Sequence, residues 1–165
     1  MNRKVKLVLL ILVTCLCNVC VACAQNKELF PETSFYEKSH SDTRAYLLDA
    51  YGDSDDDLTY LGYNVIEKKI RFNDDSLRKL LKAHSFCEKK DELVSFSSFM
   101  PDAVVVFAGQ GREVSVFFDF SHNLLQFYFN KGTVVYDFSE NRSEYLDAII
   151  QIFPSDIFLK QYAVK

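Results

Sequence analysis

The chain has 165 residues, of which 48% are hydrophobic and 25% charged, with a formal net charge of −4. An acidic balance excludes the basic surface through which proteins neutralise phosphate, so DNA, RNA and anionic membrane surfaces are poor partners. Trp is absent, which weakens a sugar-stacking platform, although nine Tyr remain.

The first segment reads MNRKVKLVLLILVTCLCNVCVACAQNK. Arg3, Lys4 and Lys6 precede an apolar run from Leu7 to Cys17, too short for the roughly 20 apolar residues of a membrane-spanning helix. Asn18 then leads to Ala22-Cys23-Ala24, a small-residue cleavage signature. Residues 1–24 are expected to be an export signal. Cleavage after Ala24 would leave Gln25 first. Cys20-Val21-Ala22-Cys23 also resembles a bacterial lipobox, with Cys20 where Leu is usual, and in that alternative Cys23 carries a lipid anchor. Membrane attachment is expected only through that anchor.

Four of the five cysteines lie in this segment, and Cys87 alone remains in the mature chain. An exported domain without an internal disulfide must rely on its core. A chain of this length can, since it buries roughly two-thirds of its unfolded surface. Losing three cations and no acids leaves 16 Lys+Arg against 23 Asp+Glu, a balance of −7. A basic protein partner suits that charge.

Residues 25–41 are polar and contain Pro31, as expected of an irregular arm or tether, and residues 42–165 read as a single domain. Asp42–Tyr51 is predicted to be a short helix, with Asp42 as N-cap and Tyr46, Leu47 and Ala50 on one face. Asp53, Asp55 and Asp57 occupy positions 1, 3 and 5 of a calcium-type loop. Leu58 and Asn64 stand where that loop requires Gly and a bidentate Glu. A solvated or helix-capping acidic run is the expectation, with a weak divalent site as the alternative.

Residues 60–72 fit both a helical and an alternating period, and Gly62 with the Tyr, Val and Ile content favours strand. Asn73 should cap a helix from Asp74 to His84, with Leu77, Leu80, Leu81 and His84 on its inner face. Ala103–Phe107, Glu113–Phe120, Leu124–Phe129 and Thr133–Phe138 are rich in Val, Phe and Tyr and are separated by turn residues. They predict an antiparallel meander. Ser143 should cap a helix that presents Tyr145, Leu146, Ile149 and Ile150 inward and stops before Pro154. A last short helix falls within Ser155–Tyr162. The expected fold class is α+β, with a meander of four or more strands and helices packed on one face.

Candidate chemistry is sparse. His84 and Cys87 are near enough in sequence to meet at a helix end, but no nucleophile turn surrounds Cys87. His40, His84 and His122 lack metal-ligand spacing. Asp119 and His122 flank a turn, where an Asp–His contact reads as capping. Gly109-Gln110-Gly111 precedes no helix, so a phosphate cradle is not indicated. No catalytic constellation, metal site or cofactor motif is expected.

Strand register supplies the candidate surface. If SHN and NKG are three-residue loops, Phe120 faces Leu124 and Phe129 faces Thr133. Val114, Val116, Phe118, Phe120, Leu124 and Tyr128 then share the core face. Phe117, Phe127, Phe129 and Val135 share the other, as an apolar stripe covered either by the chain itself or by a partner.

The block SFMPDAVVVFAGQGREVSVFFDFSHNLLQFY, Ser98 to Tyr128, with Gly62-Tyr63-Asn64-Val65 upstream, resembles a pattern in uncharacterised small exported bacterial proteins. That pattern carries Cys-Phe-x-Pro before one strand and Cys-Phe-x-Cys in the next. The cysteines are replaced here by Ser98, Phe117 and Phe120, so no redox or metal role carries over. The resemblance implies an α+β envelope protein and names no activity. Together these readings anticipate an exported, non-enzymatic binding protein of a Gram-negative envelope, in the periplasm or held at the outer membrane by lipid. A periplasmic immunity or inhibitor-type protein is one concrete form. A structural envelope lipoprotein or small-ligand binder is the alternative, with a hydrolase of unrecognised site behind it.

Overall fold

Seven antiparallel strands form one curled sheet, β2-β3-β1-β4-β5-β6-β7. A computed structural model describes residues 42–49, 58–83, 99–109, 111–129 and 132–163, all within one unit, Thr33–Lys165. The strands are β1 (Asp42–Leu48), β2 (Thr59–Tyr60), β3 (Tyr63–Ile70), β4 (Ala103–Gly109), β5 (Arg112–Asp119), β6 (Leu124–Phe129) and β7 (Gly132–Asp137). Among the described residues three α-helices accompany them, α1 (Asp75–Ala83), α2 (Arg142–Ile152) and α3 (Ile157–Tyr162). The mixed helix-and-strand class and the β4–β7 meander are as the sequence anticipates.

Segment 42–48 is not the predicted helix. It is β1, paired with β3 on one side and β4 on the other. Ala45, Tyr46, Leu47 and Leu48 are all buried. A central strand covered on both faces shows a continuous apolar run instead of alternation, and over four residues such a run mimics a helical stripe. Segment 60–72 resolves as strand. Leu61 and Gly62, at φ 48° and 89°, form the two-residue turn between β2 and β3, in which both central residues need positive φ.

The register of the meander differs by one residue at each turn. Asp119 pairs with Leu124 and Phe118 with Leu125; Phe129 pairs with Gly132 and Leu124 with Asp137. The first loop is longer than SHN because Phe120 leaves the ladder. Its N–H donates to Asp102 Oδ2 at 2.8 Å, and its ring packs against Phe118, Phe138 and Tyr162. A one-residue shift moves a strand's side chains to the opposite face.

Val114, Val116 and Phe118 therefore share a face with Leu125, Phe127 and Phe129. This face also carries Thr43, Ala45, Val105 and Phe107. Helix contacts fall on it: Tyr145 of α2 packs on Phe118, and the Arg78 guanidinium of α1 lies 5.0 Å from the centre of the Phe107 ring. The opposite face holds a second apolar cluster that includes Tyr46, Leu48, Val65, Val104, Val106 and Phe117. The β2–β3 hairpin curls over it. Tyr60 stacks on Tyr46 at 4.6 Å, and Tyr63 packs against Phe117 at 5.6 Å.

α1 begins at Asp75, whose N–H donates to Asn73 Oδ1 at 3.1 Å, so Asn73 serves the helix start as anticipated. Its buried residues are Leu77, Arg78 and Leu81. Ser143 is not a cap: a 3-10 turn at Ser139–Asn141 leads into α2, and Asn141 precedes its first residue. Tyr145, Leu146 and Ile149 are buried as predicted, joined by Ala148 and Ile152, while Ile150 is only half-buried. Asp156 caps α3 by accepting the Leu159 N–H at 2.7 Å.

Candidate functional site

The four residues of the expected stripe do not lie together. Phe117 pairs with Gln126, which pairs with Val135, on the hairpin-covered face. Phe127 and Phe129 lie on the helix-covered face, opposite Val116 and Val114. Phe117 and Phe127 are 2% and 1% exposed, and Phe129 and Val135 are half-buried. The chain itself covers the two central rings. Ala22, Cys23, Ala24, His40, the Asp53–Asp57 run, His84 and Cys87 lie outside the described residues.

Polar side chains meet in three places. The first is the turn after β5. Asp119, fully buried, accepts the Met100 N–H at 3.0 Å and the His122 N–H at 3.0 Å. Its Oδ2 also lies 2.9 Å from His122 Nδ1, which is the Asp–His contact the sequence suggests. Asp102 accepts from the Phe120 N–H and from the Tyr162 hydroxyl at 3.1 Å, and Tyr162 also meets Ser121 Oγ at 2.8 Å. Burial pushes the Asp102 carboxyl up to about 6, against the pull of the Phe120 and Tyr162 donors and with help from nearby Asp119 and Asp156. These bonds tie the β5–β6 turn to the β4 entry and to α3. Ser121 engages Tyr162 and not the imidazole, and among the described residues no hydroxyl or thiol is bonded to the ring that Asp119 orients.

The second is a tie across the curl. Tyr60 meets Ser115 Oγ at 2.6 Å and donates to Glu113 at 3.1 Å, and Arg44 pairs with Glu113. Burial first, then the Glu113 charge, raise the Tyr60 hydroxyl to about 12, although its bond to Ser115 opposes this. Burial pulls the Arg44 guanidinium down, but Glu113 together with Tyr46 and Tyr60 outweighs it and leaves it raised.

The third is a cavity of about 310 Å³. It opens where β1 begins, β3 ends and α1 starts. Three guanidiniums (Arg44, Arg71, Arg78) and two carboxylates (Asp42, Asp74) line it, with Thr43 between and Ile70 and Phe72 as apolar wall. Asp74 and Arg78 form a buried i,i+4 ion pair at 2.7 Å, and Thr43 Oγ1 donates to Asp74 and accepts from Arg78. The volume is at the lower end of the range for ligand sites, roughly 300–1,000 Å³.

Sequence reading did not find this cavity. One clue existed: Arg78 sits between Leu77 and Leu81 on the apolar face of α1, four residues after Asp74, and a charge on such a face needs a partner. The contributions of Asp42, Arg44 and Arg71 depend on β1 pairing with β3, which the helix expectation for 42–51 concealed. Among the described residues no three His, Cys, Asp or Glu side chains gather as metal ligands, and no helix is long and apolar enough to cross a membrane. Comparison with protein-family models, curated proteins and solved structures finds no match.

Proposed function

We propose that this chain is an exported binding protein of the bacterial envelope that acts by holding a small ligand and carries out no reaction on it. The single observation behind this reading is the arginine-lined cavity at the β1–β3–α1 end, a concave site with polar groups of defined position beside an apolar wall. Of the two forms of binding protein suggested by the sequence, the cavity favours the small-ligand form. The inhibitor-type form leaned on an apolar stripe whose two central rings lie on different faces. Buried Asp74 and Asp119 and half-buried Asp102 each accept hydrogen bonds from the chain's own donors, which is structural work. Export rests on the N-terminal segment, and the resemblance to small exported proteins agrees with it.

A ligand that binds only the folded state raises stability by RT ln(1 + [L]/Kd), about 2.7 kcal/mol at a hundredfold excess over Kd. Thermal denaturation of the purified chain against a panel of amino acids, organic acids, sugars and nucleosides should reveal at least one class that raises Tm saturably. A flat panel, together with stoichiometric co-purification of a basic protein, would return the inhibitor-type reading to first place. Metabolic labelling with palmitate in wild type and in Cys23→Ala separates the lipid-anchored from the cleaved form.

A further inference from the structure

The charged groups lining the cavity are of both signs, and three of the five are already engaged. Arg78 is held by Asp74 and Thr43 and lies over the Phe107 ring. Arg44 is held by Glu113. Two groups remain. Asp42 and Arg71 line the same cavity and are both exposed. No ion pair joins them, and neither pairs with another charged group among the described residues. Arg71 is also one of three non-glycine residues with left-handed backbone among the described residues, at φ 59°. Such a conformation is strained for a residue with a side chain and persists only where the surroundings impose it. It directly follows the last residue of β3, where the chain turns toward Asn73 and α1.

The two groups set opposite demands. A simple anion drawn to Arg71 is repelled by Asp42, and a simple cation drawn to Asp42 is repelled by Arg71. A molecule with an ammonium and a carboxylate satisfies both, and gains charge-assisted hydrogen bonds at each end. The Ile70 and Phe72 wall suits an apolar body, and the volume suits a single molecule of residue size. We infer that this cavity binds a small zwitterion, a free α-amino acid with an apolar side chain, with its carboxylate on Arg71 and its ammonium on Asp42. The inference rests on the small-ligand reading above and names the ligand class for that site.

Isothermal titration of the full-length chain, kept in a non-ionic detergent, tests it with three probes: leucine, 4-methylpentanoate, which lacks the ammonium, and 3-methylbutylamine, which lacks the carboxylate. Leucine should bind saturably, and each half-analogue at least tenfold more weakly. Arg71→Ala and Asp42→Ala should each weaken leucine at least tenfold while leaving Tm near wild type, because both side chains are exposed. In Asp42→Ala the gap between leucine and 4-methylpentanoate should close. If 4-methylpentanoate binds as well as leucine, or Asp42→Ala changes nothing, the zwitterion assignment fails and the small-ligand reading stands. If none of the three binds, the assignment also fails, and the broader ligand panel then decides the parent reading separately.

Discussion

Asp102 occupies a place where a carboxylate is costly. Burial raises it to about 6 in the fold, against 3.8 as its ordinary value, so between these limits the folded chain binds more protons than the unfolded one. The stabilisation from protonation is therefore complete below pH 3.8 and is lost as pH rises through 6. At 1.36 kcal/mol per unit this amounts to roughly 3 kcal/mol. Urea midpoints of wild type should fall from pH 4 to pH 7 more steeply than those of Asp102→Asn; parallel profiles would remove the group from the balance. Phe117 and Phe127 give a second test at this scale. Both are buried, on opposite faces of one sheet. Phe117→Ala and Phe127→Ala should each cost about 3–5 kcal/mol by equilibrium unfolding. A loss confined to one of them would mean that only one face is packed.

α1 joins the sheet through the Asp74–Arg78 pair and Thr43, and a buried pair of this kind has asymmetric energetics. Removing one partner strands a charge and costs about 3–5 kcal/mol, whereas replacing both with apolar residues of similar volume can be neutral. Asp74→Ala should therefore destabilise far more than the double variant Asp74→Leu with Arg78→Met, compared by urea unfolding. Equal losses in the two would show that the pair is solvated. The same substitution has a second consequence, because Asp74 and Arg78 line the cavity. It should weaken ligand binding even where the fold survives.

At the scale of the whole molecule, the curl brings β2 against β5, strands that are four places apart in the sheet order. Tyr60, stacked on Tyr46 and bonded to Ser115 and Glu113, closes it. Tyr60→Phe keeps the ring and removes the hydroxyl, and should cost about 1 kcal/mol, the usual net worth of a hydrogen bond. A loss above about 3 kcal/mol would mean that the hydroxyl, and not the ring, holds the hairpin down. β1 also inserts between β3 and β4, so the sheet cannot form as a simple succession of neighbours. Folding dominated by such distant pairings runs in milliseconds to seconds, and stopped-flow refolding should fall in that range.

Local chemistry made much of this fold legible in the sequence. Turn residues and Val/Phe/Tyr runs marked β4 to β7. Asn73 and the Leu77–Leu81 spacing marked α1, and the break at Pro154 marked the end of α2, because each signal acts within a few residues of where it is read. Register, faces and the cavity were settled elsewhere. A shift of one residue at the turn after β5 came with Phe120 packing on Phe118, Phe138 and Tyr162 of α3, and it sent Phe117 and Phe127 to opposite sides. β1 became a strand because two distant strands flank it, and only that pairing brings Asp42 and Arg71 to one cavity. A period in the sequence reports which residues avoid water; which neighbours they avoid it with is fixed by contacts far along the chain.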